Sequence, residues 1–141
     1  MERVNPRAIP SLLAVLLLLS FTTNAQDWHP VTLPFCSQIK AKGAMVSNRP
    51  FWVFEAPAPN SRCCADLDLK FKGKTEQFGY FKLSGLPKGR YFVSFDLKAK
   101  HVTVPLSVER IIDYEDCLAS SRITLDKVTG QMHWEEWINV D

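Results

Sequence analysis

The sequence predicts an all-β protein, an antiparallel Greek-key β-sandwich of about seven strands that follows an N-terminal signal peptide. Short runs of alternating polar and apolar residues recur along the chain, and clusters rich in Gly, Pro, Asn and Asp separate them. No run has the apolar spacing of a long amphipathic helix. Because the predicted strands differ in length, a sandwich fits the pattern better than a barrel.

Residues 1–25 have the composition of a secretory signal peptide. Arg3 and Arg7 precede the leucine-rich run Ser11–Phe21, and small or polar residues follow it up to Ala25. The apolar run is much shorter than the roughly 20 residues that cross a bilayer, which favours cleavage over an uncleaved membrane anchor. We therefore expect a secreted or periplasmic protein with no stable membrane insertion after cleavage.

The first part of the mature chain is predicted to lead into the sandwich. Residues 26–43 contain Pro30 and Pro34 and are interpreted as an extended lead-in, with the sandwich domain spanning residues 44–141. The apolar run Ala44–Ala56, aromatic at its centre, predicts a buried strand. Asp66–Lys72 then alternates polar and apolar residues without a break. That alternation predicts a strand with one apolar face, made of Leu67, Leu69 and Phe71.

Three further strands are predicted in the second half, at Tyr80–Leu83, Arg90–Leu97 and His101–Val108. Pro105 lies within the last of them and predicts an edge position for it. Glu109–Ser120 fits either a short helix or a strand that continues into a loop.

A hairpin is expected at the C-terminal end. Its strands are Ser121–Leu125 and Gln131–Val140, and a turn at residues 126–130 joins them. The second strand is expected to bury Met132, Trp134, Ile138 and Val140.

All four cysteines lie in the exported part, and an even number in an oxidising compartment predicts that they form disulfides. Cys63 and Cys64 are sequence neighbours, and a bond between them would close a strained ring. We therefore expect each of them to bond separately to Cys36 or Cys117, without deciding which pairs with which.

The stretch Thr75–Phe95 resembles the signature of carboxypeptidase regulatory-like domains, which are transthyretin-like sandwiches of exported proteins. Gly79 and Gly89 suit turns at positive φ, and Pro87 fixes φ in the corner between two strands. The positions that carry the resemblance are Thr75, Gly79, Phe81, Leu83, Leu86, Pro87, Gly89, Tyr91 and Val93. The resemblance implies a non-catalytic module that supports folding, attachment or binding.

No arrangement of residues predicts catalysis, a metal site or a cofactor. The three histidines, His29, His101 and His133, are not at a recognised ligand spacing. The acidic residues of the segment 113–116 lack the Gly and the closing Glu of a calcium loop, so a solvated acidic surface is the better interpretation.

Function is predicted from what remains. The charge balance, 17 Lys and Arg against 15 Asp and Glu, gives no reason to expect nucleic acid as a partner. Trp28 and Trp137 form a candidate binding patch for a protein or an extracellular glycan, although Trp137 could equally cover the second sheet. We expect a secreted, non-enzymatic binding or interaction module. The alternatives are an exported thiol-redox protein that uses Cys63 and Cys64, and a small disulfide-stabilised secreted inhibitor.

Overall fold

Two β-sheets pack face to face in a computed structural model that describes residues 27–98, 100–117, 119–125 and 131–138, the side chains of Trp137 and Ile138 excepted. The all-β sandwich predicted from the sequence is therefore confirmed. The predicted signal peptide, residues 1–25, lies outside the described residues. Within the part that is described, no helix has the length and apolar character needed to cross a bilayer.

The strands follow one another with a single short 3₁₀ turn, Gln77–Gly79, among the described residues. In chain order they are β1 His29–Leu33, β2 Phe35–Ala41, β3 Ala44–Met45, β4 Pro50–Ala56, β5 Leu69–Lys74, β6 Tyr80–Leu83, β7 Gly89–Asp96, β8 His101–Ile111, β9 Ala119–Leu125 and β10 Met132–Ile138. The first sheet has the order β1-β8-β7-β4-β5, and the second has the order β10-β9-β2-β3, with β6 also paired to β2.

The sandwich is mixed rather than purely antiparallel, and it contains more strands than the predicted seven. Strand β1 runs parallel to β8, and β2 runs parallel to β9. Both parallel pairs come from residues 26–43, which the sequence predicted to be a lead-in before the domain. The physical reason is that Leu33, Phe35 and Ile39 are buried in the common core, so apolar contacts hold β1 and β2 in the two sheets. Pro30 is compatible with a strand because β1 lies at a sheet edge.

Two predictions about single strands are wrong. The predicted strand Asp66–Lys72 begins later, as β5, and its apolar residues are not buried: Leu69 is 52% exposed and Phe71 is 39% exposed. The reason is that β5 is the outermost strand of the first sheet. Strand β8, by contrast, was predicted to be an edge and lies between β1 and β7. It tolerates Pro105 because β1 pairs with β8 only from Leu106 onward.

The remaining elements follow the predicted pattern with two refinements. The run Ala44–Ala56 is divided into β3 of the second sheet and β4 of the first, with irregular chain between them. The ambiguous segment Glu109–Ser120 extends β8 to Ile111, continues without helix in its described residues, and enters β9.

The predicted C-terminal hairpin is confirmed by the antiparallel pairing of β9 and β10. Met132 and Trp134 pack against the core as expected. The side chain of Ile138, the turn at 126–130 and Val140 lie outside the described residues.

An aromatic cluster joins the two sheets at the centre of the core. The rings of Phe51 and Phe95, from the first sheet, lie with their centroids 5.6 Å and 5.1 Å from that of Phe81, in the second. Such tilted and edge-on contacts add to the free energy gained by burying the rings. The core therefore holds the two sheets in a fixed relative position.

Candidate functional site

A cleft of about 410 Å³ opens where β1, the edge of the first sheet, faces β9 and β10 of the second. Its apolar lining comes from Val31, Pro34, Phe35 and Ile112. Its polar and charged lining includes Thr32, Arg110, Ser121 and Glu136. Concave sites of this size, apolar with a few polar groups, are the usual form of small-ligand sites. We refer to it below as the β1 cleft.

Backbone pairing positions the cation of the β1 cleft. Thr32 and Arg110 are direct partners in the parallel β1–β8 ladder, just after an irregularity in the register at Val31 and Thr32. The amide of Ile112 donates to the carbonyl oxygen of Leu33 at 3.0 Å, which keeps the end of β8 beside β1. The Thr32 hydroxyl and the Arg110 guanidinium are thus contributed by one short stretch of paired backbone.

Hydrogen bonds between β2 and β9 hold Ser121, one of the lining residues from the second sheet. Ser121 donates its hydroxyl to Ser37 Oγ at 2.9 Å, and Ser37 donates to the carbonyl oxygen of Ser121 at 3.1 Å. Both serines are buried, and this reciprocal pair satisfies their hydroxyl groups. The hydroxyl of Ser121 is therefore held in a fixed position.

A contact between the sheets lies next to the β1 cleft. His29 of β1 lies with Nε2 2.9 Å from Glu136 Oε1 of β10. The same imidazole stacks on Trp134, with ring centroids 3.6 Å apart and planes 5° from parallel. These contacts connect β1 to β10 and leave Glu136 already engaged by a protein group. Sequence reasoning treated His29 as isolated because the strand that carries it was not predicted.

The three histidines lie in different parts of the structure and do not form a cluster. His101 lies near Trp52, with ring centroids 5.8 Å apart, and His133 is exposed on β10. Within the described ranges, no group of three or more His, Cys, Asp and Glu side chains is placed to hold a metal ion. The acidic segment after β8 is exposed, and Lys82 Nζ donates to the backbone carbonyl oxygen of Glu115 there.

The disulfides differ from the predicted pattern. Cys36 bonds to Cys117, with Cα atoms 5.9 Å apart, and Cys63 bonds to its neighbour Cys64. The physical reason for the first bond is the parallel β2–β9 pair, which places Cys36 opposite Ser120 and so brings the segment before β9 next to it. Cys63 and Cys64 lie in the loop between β4 and β5, where Cys63 is exposed.

The residues that carry the family resemblance form a connected structural unit. The Thr75 hydroxyl donates to the carbonyl oxygen of Val46 at 2.7 Å and accepts from the amide of Arg49 at 2.9 Å. Thr75 is buried, so its side chain fixes the irregular chain between β3 and β4. Gly79 and Gly89 both have positive φ, as the sequence predicts.

The corner before β7 depends on Tyr91. Its hydroxyl donates to the carbonyl oxygen of Pro87 at 2.7 Å, while its ring is buried in the core. Burial raises the pKa of Tyr91, and the nearby negative charge of Glu55 raises it further. Phe81, Leu83, Leu86 and Val93 of the same signature are also buried in the core. The signature thus has a structural role and does not line the β1 cleft.

The candidate binding patch requires that the side chains of Trp28 and Trp137 are both exposed. Trp28 is half-buried: its ring lies 4.9 Å from that of Phe92, and Nε1 donates to the carbonyl oxygen of Pro59 at 3.0 Å. Trp137 belongs to β10, and its side chain lies outside the described residues. The patch stays a prediction.

Comparison with known proteins supports the fold. No model of a protein family matches this chain, and no curated protein matches it. Sea bream transthyretin, in a crystal structure with thyroxine, is similar with a TM-score of 0.50 and 15% identity, over 75% of this chain and 96% of that one. Another crystal structure, of transthyretin from Sparus aurata, gives a TM-score of 0.47 and 15% identity, over 76% of this chain and 98% of that one. The likeness to sea bream transthyretin in complex with thyroxine shows a transthyretin-like fold and nothing about ligand or activity.

Proposed function

We propose that this chain is an exported, non-enzymatic binding module on a transthyretin-like sandwich, of the carboxypeptidase regulatory-like type, and that it binds its partner in the β1 cleft. The observation that carries the proposal is the cleft itself, with an apolar lining, a cation and side chains held in place by backbone pairing. Preorganised concave surfaces bind with less loss of conformational freedom than flat or mobile ones. The partner is a group on another protein or on an extracellular glycan, or a free molecule with the same chemistry.

Site-specific photo-crosslinking tests this proposal. Ala119 is exposed and lines the β1 cleft, whereas Lys88 is exposed in the turn between β6 and β7. A photoreactive residue at position 119 should give a reproducible adduct with material from the protein's extracellular surroundings, and the same residue at 88 should not. Equal labelling from both positions, or none from position 119 under several growth conditions, would count against the cleft as the binding site.

A second function is favoured by one specific observation. Cys63 is exposed and bonded to Cys64, in a loop outside the strands. A thiol-redox protein would cycle this pair between disulfide and dithiol, taking two electrons and two protons from an external dithiol that becomes oxidised in turn. The bond joins sequence neighbours, so its reduction would leave the Cys36–Cys117 bond between the second sheet and the segment before β9 intact.

The two functions are separated by intact mass after mild reduction and alkylation. A redox function requires that Cys63 and Cys64 become alkylated while Cys36 and Cys117 do not, and that the modified fraction follows the potential of the buffer. A protein whose four cysteines all stay bonded across that range is not a redox carrier, and the binding function then stands alone. The same mass also tests whether the mature chain begins at Gln26.

A further inference from the structure

We propose that the β1 cleft binds an apolar carboxylate, meaning an ionised carboxylic acid attached to a compact apolar group. The inference rests on the proposed function, because it takes the cleft as the binding site and adds the chemistry of what enters it. The carboxylate can belong to a free organic acid or to the C-terminal residue of a peptide, since both present the same group.

The charge requirement comes from Arg110. Its side chain is exposed at the cleft and has neither a hydrogen bond nor an ion pair within the described part of the chain. A guanidinium group presents several N–H donors in one plane, which matches the two oxygens of a carboxylate. Glu136, the anion of the lining, is already in contact with His29. Among the residues that the structure describes, the cleft therefore offers a cation with no protein partner and an anion that a protein group already faces.

Neighbouring groups make Arg110 part of a site rather than an isolated surface charge. Thr32 is its direct partner in the β1–β8 register, and its hydroxyl can donate to the same ligand. Because both residues belong to paired strands, their backbones are fixed before a ligand arrives, which reduces the entropy lost on binding.

The requirement for an apolar group on the ligand comes from the apolar residues that line the β1 cleft. Val31 and Phe35 are buried, with 6% and 7% of their surface exposed, and both line the cleft together with Pro34 and Ile112. A small inorganic anion would leave this apolar surface in contact with water, whereas an attached apolar group would cover it. The cleft volume of about 410 Å³ lies in the range of small-ligand sites. The combination selects for an acid with an apolar body.

Matched probes test the inference on the exported protein by calorimetry and NMR titration. The free-acid arm compares 4-methylpentanoate with 4-methylpentanamide and 4-methylpentylamine at pH 7. The peptide arm compares acetyl-Ala-Leu carrying a free C-terminus with the same dipeptide amidated. We expect the acid of at least one arm to bind, its neutral and cationic counterparts to bind at least about tenfold more weakly, and the shifted resonances to surround the β1 cleft.

Three variants identify the cation. Arg110→Gln should weaken binding of the acid by about tenfold or more, because a charge-assisted hydrogen bond is lost. Arg62→Gln removes the same charge from an exposed arginine in the loop between β4 and β5 and should have no effect. Glu136→Gln should leave binding unchanged or tighten it, since a negative charge leaves the cleft. Thermal unfolding of each variant establishes that it is folded.

The outcomes distinguish the inference from the function on which it rests. Acids and amides that bind equally, or an Arg110→Gln variant that binds as well as the parent, overturn the carboxylate inference and leave the cleft as a binding site of other chemistry. If no acid binds in either arm, the inference is also wrong, and crosslinking at position 119 then decides whether the cleft binds anything. Binding in only one arm identifies the source of the carboxylate.

Discussion

Replacing Gly79 with alanine should destabilise the fold more than any ordinary Gly→Ala change, because the position is both left-handed and closed. Gly79 has φ +81°, and a Cβ there would lie 2.5 Å from the carbonyl oxygen of Ile39 and 3.2 Å from the amide nitrogen of Val46. These atoms already form a 3.0 Å hydrogen bond with each other. Ile39 belongs to β2, which has neighbours on both sides and is fully buried at this residue. The obstruction is therefore backbone that cannot rotate away.

The expected magnitude follows from separate contributions. A left-handed backbone costs a residue with a Cβ about 1–2 kcal/mol, and forcing apart packed backbone costs about 1–3 kcal/mol more. Alanine also restricts the unfolded chain, which offsets about 0.4–1 kcal/mol. The free energy of unfolding should fall by about 1–5 kcal/mol, with a central value of about 3 kcal/mol, which is a large part of the roughly 5–15 kcal/mol typical of a domain.

Gly43 provides the matched control. It has the same φ of +81°, in the turn between β2 and β3, but no atom lies within 4 Å of a Cβ placed there. Gly43→Ala should therefore show the conformational cost alone, about 1 kcal/mol. Urea denaturation of the oxidised protein, followed by tryptophan fluorescence and circular dichroism, measures both variants against the parent. Equal losses in the two variants would refute the reasoning, because the steric contribution at Gly79 would then be absent.

Three further predictions concern buried or charged groups. Tyr91→Phe should lower the free energy of unfolding by about 1–2 kcal/mol at neutral pH. Burial, and then the charge of Glu55, raise the pKa of Tyr91 in the folded state, so the parent should lose stability as pH rises above about 10. Alkaline denaturation curves should show a smaller loss for the variant. Thr75→Val should lower the free energy of unfolding by about 1–3 kcal/mol, because two backbone groups lose their hydrogen-bond partner. Thr75→Ser should keep most of the parent's stability in urea denaturation, and a valine variant as stable as the parent would contradict the role assigned to the hydroxyl. The pKa of Asp96 is lowered mainly by the hydrogen bond that its carboxylate accepts from the amide of Lys98. The ionised carboxylate therefore stabilises the fold above about pH 4, and this stabilisation is lost as pH falls through the lowered pKa. Asp96→Asn should make the free energy of unfolding depend less on pH in the acid range, and an unchanged dependence would contradict this assignment.

Alternation along the chain predicted which residues of a strand share a face. Tyr91, Val93 and Phe95 were expected on one face of a strand, and all three are buried in the core from β7. Strand β5 has the same kind of alternation, yet its apolar residues are exposed. Alternation reports which residues share a face, and the position of a strand in its sheet decides whether that face is covered.

Strand β2 could not be recognised because its pattern is interrupted by buried polar residues. Gln38 is buried on this strand, where it donates to the carbonyl oxygen of Phe78 and accepts from Arg122 Nε at 2.9 Å. Those partners are distant in sequence, so nothing near Gln38 indicates that its amide would be satisfied. The predicted disulfide pairing was wrong for the same reason, since it depends on the unpredicted pairing of β2 with β9.

The candidate site was also beyond sequence reasoning. Its lining comes from β1, the start of β2, the end of β8, and β9 with β10, and none of these segments contains a motif with a fixed ligand spacing. Arg110 and Glu136 become neighbours of one cleft only through the order of strands in two different sheets. The sequence shows that Arg110 and Glu136 are charged, but only the topology places them at the same cleft.

The parallel placement of β1 and β2 determines when the domain can fold. A chain is synthesised from its N-terminus, whereas β1 and β2 pair with β8 and β9, which lie near the C-terminal end. Ser37 and Ser121, which form a hydrogen bond between β2 and β9, are 84 residues apart. Closing so long a segment costs conformational entropy before any contact compensates for it, so folding of such topologies is slow. The middle of the chain can form β4, β5, β7 and part of β8 earlier, but the second sheet has no centre until β9 has emerged. Under the export that we propose, this delay would keep the chain unfolded until almost all of it has crossed the membrane.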